Sequence, residues 1–167
     1  MSTDQEISVR EVDAICATPK HSTEFKVFRY KAPENLKRNR ALVPLAKTET
    51  LLSMVQVFRG SGGEQELHMH TAMDGFWFVL SGRARFYGEG DVLVAELGPH
   101  EGILVPSGAK YWFEAGSEQL ELLQVESIDH RVKNEVVYYS DRQRSVVSVH
   151  EPDGSVIAAN VRLGAGS

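Results

Sequence analysis

The sequence has one cysteine, Cys16, among 167 residues. A single thiol excludes an intrachain disulfide framework and a zinc site built from several thiolates of one chain. Cys16 lies beside Pro19 with no residue nearby to activate it, so a nucleophilic role is not expected. Long hydrophobic runs are missing too. The longest apolar stretches hold about six residues, against the ~20 that span a bilayer as a helix. The acidic start (Asp4, Glu6, Glu11, Asp13) is followed by no apolar segment, so a secretory signal is not expected and a cytoplasmic location is. Basic excess is absent: the net charge is −5. Neither nucleic acid nor an anionic membrane is an expected partner. The one basic cluster, residues 31–40, also contains Glu34 and reads as a solvated loop. Sustained helical periodicity is absent as well. Ile7, Val12 and Ile15 permit a short N-terminal helix, and an irregular arm fits equally well.

What is present reads as strand. Residues 24–30 (EFKVFRY) alternate apolar and polar, and residues 51–58 are rich in strand formers. Further short strands are predicted over 66–70, 76–80, 83–87, 91–97, 102–105, 111–114 and 119–126. Turn sequences separate them: Gly60-Ser-Gly-Gly63, Ser81-Gly82, Gly88-Glu-Gly-Asp91, Gly98-Pro99, Pro106-Ser-Gly108 and Gly116-Ser117. Short strands at intervals of about 8–12 residues indicate an all-β antiparallel sandwich or small barrel. Pro33 and Pro44 punctuate an N-terminal connection. Past residue 129, strands are predicted over 135–139, 146–150 and 156–161, the last two forming a hairpin about Pro152-Asp-Gly154.

The segment 62–82 (GGEQELHMHTAMDGFWFVLSG) carries the chemistry. His68 and His70 stand at i and i+2 of a predicted strand and so share a face. Two imidazoles on the inner wall of a barrel can chelate a divalent metal; they can equally be hydrogen-bonded in a polar pocket. Gly62, His68, His70 and Gly82 stand at the spacing of the first cupin motif, and Pro106-Ser-Gly108 at that of the second. Over residues 51–125 the sequence resembles the cupin family. The resemblance implies an antiparallel jelly-roll β-barrel over 46–129, with an N-terminal arm and edge strand over 1–45 and C-terminal strands over 130–167. It implies a homodimer and a small organic molecule as partner. It also implies a divalent metal (iron, zinc, nickel or manganese) held by His68 and His70. The family's glutamate ligand falls on Gly75, with Asp74 beside it. Its third histidine falls on Tyr111, its closing asparagine on Ala115, and the opening glycine of its second motif on His100. Asp74 and Tyr111 are therefore candidate further ligands.

Strand parity extends the candidate site. An inward Gly75 implies inward Trp77 and Val79 with outward Phe76, Phe78 and Leu80; an inward Tyr111 implies inward Phe113 and outward Trp112. Tyr111, His68 and His70 are the candidate catalytic residues. Trp77, Phe113 and Gln56 are candidate substrate contacts, and Gln124 joins them if its parity is inward. The outward aromatics Phe76, Phe78 and Trp112 need a cover, from the terminal strands or from a second subunit. The expected function is that of a small-molecule-metabolising, metal-dependent cupin enzyme (a dioxygenase, isomerase, cyclase or decarboxylase). The alternative is a metal-free ligand-binding or sensor protein.

Overall fold

A computed structural model describes residues 6–8, 20–36, 38–60, 62–129, 131–139 and 146–162. Cys16, and most of the segment read as helix or arm, lie outside them. The barrel is made of β3 (Leu51–Arg59), β4 (Gly63–His70), β5 (Gly75–Ser81), β6 (Ala84–Tyr87), β7 (Leu93–Leu97), β8 (Gly102–Val105), β9 (Tyr111–Ala115) and β10 (Gln119–Ser127). One wall runs β3-β10-β5-β8 and the other β4-β9-β6-β7. Every pairing within these walls is antiparallel. This is the expected jelly roll.

The flanking strands lengthen both sheets. β2 (Arg40–Lys47) pairs with β3, and β12 (Val146–His150), β13 (Val156–Arg162) and β1 (Glu6–Ser8) continue outward from β2. β11 (Val136–Tyr138) borders β4 on the other wall. The predicted C-terminal hairpin is the β12–β13 pair.

The N-terminal strand is not where the alternation of residues 24–30 places it. Those residues form no strand. They are anchored at their end by the Tyr30 hydroxyl, which donates to Glu121 Oε1 at 2.6 Å, and by the Lys31 amide, which donates to the Pro152 carbonyl. The strand is β2, which contains Pro44. A proline lacks the N–H a ladder needs. It is accommodated because β12 pairs with β2 only at Ala41 and Leu42, and because the β2–β3 register shifts between Pro44 and Ala46.

Alternation divides the side chains between two cores. Inside the barrel, Trp77, Val79, Phe86, Phe113, Leu120 and Leu122 pack with Phe58. On the outer face of β2 and β3, Ala41, Val43, Leu45, Val55 and Val57 form a second layer with Tyr30 and Leu36. Two tight positions explain the turn sequences. Gly82 has φ +85°, and a Cβ there would sit 2.0 Å from the Gln119 carbonyl oxygen. His100, where the resembled motif has glycine, adopts φ +67°; the position demands a left-handed backbone and a non-glycine residue pays steric strain there.

The outward aromatics fall on two different walls rather than one face. Trp112 stacks on Tyr87 at 4.1 Å between ring centroids, and its indole N–H donates to Asp91. Phe76 (44% exposed) and Leu104 (65%) stay open to solvent on the other wall.

Candidate active site

β4 projects Glu64, Glu66, His68 and His70 from alternate positions, and the Glu66 and His68 side chains are buried. β9 runs alongside and sets Tyr111 opposite His68, with ring centroids 4.4 Å apart. His68 and His70 rings lie 5.5 Å apart. β10 contributes Gln124 and Glu126, β3 contributes Gln56, and β2 contributes Arg40; all four are buried.

Arg40, Gln56, Glu64, His68, Gln124 and Glu126 form one connected network. Arg40 donates from Nε and Nη2 to Gln56 Oε1 at 2.9 and 2.6 Å, and from Nη2 to Glu64 Oε1 at 2.7 Å. Gln56 Nε2 donates to Gln124 Oε1 at 2.6 Å and to Glu64 Oε1 at 3.2 Å. Gln124 Nε2 donates to Glu126 Oε1. His68 Nε2 faces Glu64 Oε2 at 3.4 Å, and His68 Nδ1 contacts the Glu66 carbonyl at 2.7 Å. Buried polar groups that satisfy one another in this way avoid the cost of an unpaired charge.

A cavity of about 10 Å³ opens beside the network, lined by His70, Gly75, Pro106, Tyr111 and Glu126 among others. That is room for about one water-sized group. A larger groove of about 760 Å³ lies between residues 26–29, β2 and the Glu151–Asp153 turn, and shares no lining residue with it. The chemistry is concentrated at the small cavity.

Four titratable groups of the site are shifted by their surroundings. Burial raises the Glu126 carboxyl to about 7, and the nearby Glu64 charge adds to this against the hydrogen bond from Gln124. Burial also lowers His70 below the ordinary histidine value, with the His68 charge acting in the same direction and Glu64 against it. Burial, then Glu64 and Glu126, push the Tyr111 phenol well above its usual range. Tyr111 is therefore a neutral donor, not a phenolate. For Glu64, burial opposes ionisation, but Arg40, His68, Gln56 and His70 together outweigh it and hold the carboxyl below its usual value.

Asn134 fixes the orientation of His70. Its Oδ1 accepts the Ala72 amide, which turns its Nδ2 toward His70 Nδ1 at 3.4 Å. An amide nitrogen only donates, so Nδ1 accepts and the neutral ring carries its proton on Nε2.

The expected metal ligands do not assemble. Gly75 brings no side chain, and a Cβ built there would lie 3.1 Å from Trp77 Nε1. A side chain there would have to push the indole aside by a few tenths of an ångström. Asp74 is exposed, and its Oδ1 accepts the Ser107 amide at 2.9 Å, which ties down the Pro106–Gly108 turn. The phenol of Tyr111 resists ionisation, and both ring nitrogens of His68 face oxygen acceptors. Among the described residues no group of three or more His, Cys, Asp or Glu side chains is placed to hold a metal. The donor set does not fit the metal that the motif resemblance implies.

None of the expected substrate contacts lines the cavity, whereas two of the candidate catalytic residues do. His70 and Tyr111 line the cavity. Trp77 and Phe113 are fully buried core residues, packed on each other and on Phe86. Gln56 belongs to the network rather than to the cavity wall.

Sequence reading passed over Arg40, Glu64, Glu126 and Asn134. Parity could have found two of them: Glu64 shares the face of His68, and Glu126 that of Gln124. In the sequence Arg40 belongs to the basic cluster that reads as a solvated loop, and only the β2–β3 pairing brings it inside.

The two four-stranded walls and the inward histidine strand define a cupin fold, the double-stranded β-helix. No family model matches the sequence, and no curated protein does. Solved structures do. An uncharacterised conserved protein with a double-stranded β-helix domain from Klebsiella pneumoniae aligns with a TM-score of 0.52 and 13% identity, over 72% of this chain and 100% of that one. A cupin superfamily protein from Desulfitobacterium hafniense aligns at 0.48 and 23% identity, over 59% and 84% of the two chains. KdgF from a Halomonas species aligns at 0.47 and 18%, over 52% and 76%. No helix among the described residues is long and apolar enough to cross a membrane.

Proposed function

We propose that the protein binds a small carbonyl compound at the His70–Tyr111–Glu126 cavity and moves a proton on it, as an isomerase or cyclase does. The observation that carries this reading is the convergence of one carboxyl poised near neutrality with two neutral donors on a single cavity. A general base works best when its pKa lies near the operating pH. Ionised Glu126 removes a proton from the carbon next to the carbonyl. The C–H electron pair becomes the C=C bond of an enolate, and the negative charge moves to the carbonyl oxygen. His70 Nε2–H and Tyr111 O–H are the donors for that oxygen. Where the attacked carbon bears a hydroxyl, that hydroxyl's proton passes to the enolate oxygen, a C=O forms on the attacked carbon, and Glu126 returns its proton to the former carbonyl carbon, so no outside reactant is consumed. The cavity admits one functional group, and the rest of the substrate stays outside it.

Incubating the protein in heavy water with ketoses, hydroxyketones and cyclic ketones tests this. Proton NMR should show C–H to C–D exchange at the position next to the carbonyl. Glu126→Gln should lower that rate by at least 10²-fold, the low end of general acid–base contributions. Exchange unchanged in the variant sinks the reading.

The metal-dependent enzyme that the motif resemblance implies has the adjacent His68 and His70 rings in its favour and the lack of a third ligand among the described residues against it. Elemental analysis of the protein beside His68→Ala/His70→Ala separates the two. Near-stoichiometric iron, zinc, nickel or manganese that disappears in the double variant supports the metal reading. We propose further that a second copy covers the apolar wall at Phe76 and Leu104, giving a homodimer; light scattering of Leu104→Asp beside the native chain reads this out.

A further inference from the structure

We infer that Arg40, Gln56 and Gln124 form a polarity relay that assigns the two oxygens of Glu126 opposite roles: Oε1 only accepts, and Oε2 is the atom that exchanges a proton with a bound molecule. The relay starts from a group with one possible orientation. A guanidinium has donors and no acceptor. Arg40 points two of those donors at Gln56 Oε1. Turning the Gln56 amide over would set its NH₂ against the guanidinium, donor against donor, in a buried site. Gln56 Nε2 is thereby directed at Gln124 Oε1 and Glu64 Oε1, both acceptors. Gln124 has its oxygen engaged, so its NH₂ is the group left to meet Glu126, and it donates to Oε1. A proton on Oε1 would point at an N–H. The carboxyl proton therefore belongs on Oε2.

The surroundings of Glu126 leave the relay as the element that distinguishes its oxygens. In the sheet its neighbours are Leu52 on β3 and Gly75 on β5, neither of them charged. The titratable groups that share its cavity are His70 and Tyr111, and the charge of Glu64 acts on it as well. Arg40 stands on β2, outside the eight strands of the barrel, and reaches the site only through side chains. Arg40, Gln56 and Gln124 are thus positioning residues: none of them lines the cavity.

This inference rests on the reading of Glu126 as the proton-exchanging group, and it is tested without a substrate. Infrared difference spectra of the full chain, carrying ¹³C-labelled glutamate, are taken across the Glu126 titration. The band of the protonated carboxyl is identified by its loss in Glu126→Gln. With the proton on Oε2, the C=O is Oε1 and the Gln124 donor lowers its stretching frequency. Gln124→Leu should raise the frequency. Gln56→Leu, one link further away, should raise it by less, and Gln56→Glu should not restore it, because it presents an acceptor where Gln124 needs a donor. A band that ignores Gln124→Leu overturns the oxygen assignment, and one that ignores Gln56→Leu overturns the relay. If these variants do not fold, the native chain still decides: the Nε2 protons of Gln124 should shift with the Glu126 titration in NMR, and static protons overturn the inference. The shifts can be present while Glu126→Gln keeps full carbon–proton exchange. That result removes the catalytic reading and leaves the relay intact.

Discussion

The barrel interior has two halves, and β10 belongs to both. Its inward residues are Leu120 and Leu122, then Gln124 and Glu126, all buried. The first pair joins Trp77, Phe86 and Phe113 in a close-packed aromatic core. The second pair joins Arg40, Gln56, Glu64 and His68 in a hydrogen-bonded network. The aromatic half is stabilised by area removed from water, which has no direction. The polar half holds only if every donor meets an acceptor. The first tolerates local error in proportion to lost volume. The second fails when one member is removed.

Substitutions should expose that contrast. Trp77→Ala should cost the most, about 3–5 kcal/mol in urea unfolding, as a large-to-small change in a full core. Arg40→Met should cost about 3 kcal/mol, because Glu64 keeps its partly buried charge and loses its partner. The double variant Arg40→Met/Glu64→Gln should recover much of that loss, whereas no second-site change of charge should rescue Trp77→Ala. The pH dependence of the pair has a definite sign. The Glu64 carboxyl is held low in the folded chain, so its contribution is present above the unfolded carboxylate value and is lost as pH falls. Acid unfolding of the native chain should show this loss, and that of the double variant should not.

Glu126 behaves in the opposite way. Its pKa is raised from 4.5 to about 7. Stability is therefore full below the unfolded value and declines as pH rises from about 4.5 through about 7. With each pKa unit worth about 1.4 kcal/mol, ionising the buried carboxyl costs on the order of 3 kcal/mol. Glu126→Gln should be more stable than the native chain in alkaline urea melts, by up to that amount, and equal to it in mild acid. A stabilising change that abolishes proton transfer is the pattern expected of a functional residue. The smallest effect concerns the backbone. His100→Gly should gain about 0.5–1 kcal/mol by relieving the left-handed conformation at that position.

Much of the aromatic half was legible in advance. Period-two alternation sets Trp77 and Val79 on the face opposite Phe76 and Leu80, because successive side chains of a strand point to opposite faces, and the motif position of Gly75 implies which face is inward. The turns were legible for the same local reason: Gly82 and Gly108 stand where φ is positive. The polar half was less so. Gln56 and Gln124 lie far apart in sequence, and parity could not say that they face each other until β3 and β10 were set side by side. Asp74 satisfied a spacing rule for a ligand, yet the Ser107 amide captured it.

The sequence by itself determined the all-β architecture and the succession of short strands, since these follow from alternation and turn chemistry within short segments; the inward facing of His68, His70 and Tyr111 was what the resemblance to the cupin motifs implied. Only the tertiary structure decided that residues 24–30 stay unpaired while β2 becomes a strand. Only it brought Arg40 inside, and only it set the Trp77 indole against Gly75, where the resembled motif has glutamate. These outcomes depend on which surfaces meet, and the energy of a buried charge or a packed ring is set by neighbours distant along the chain.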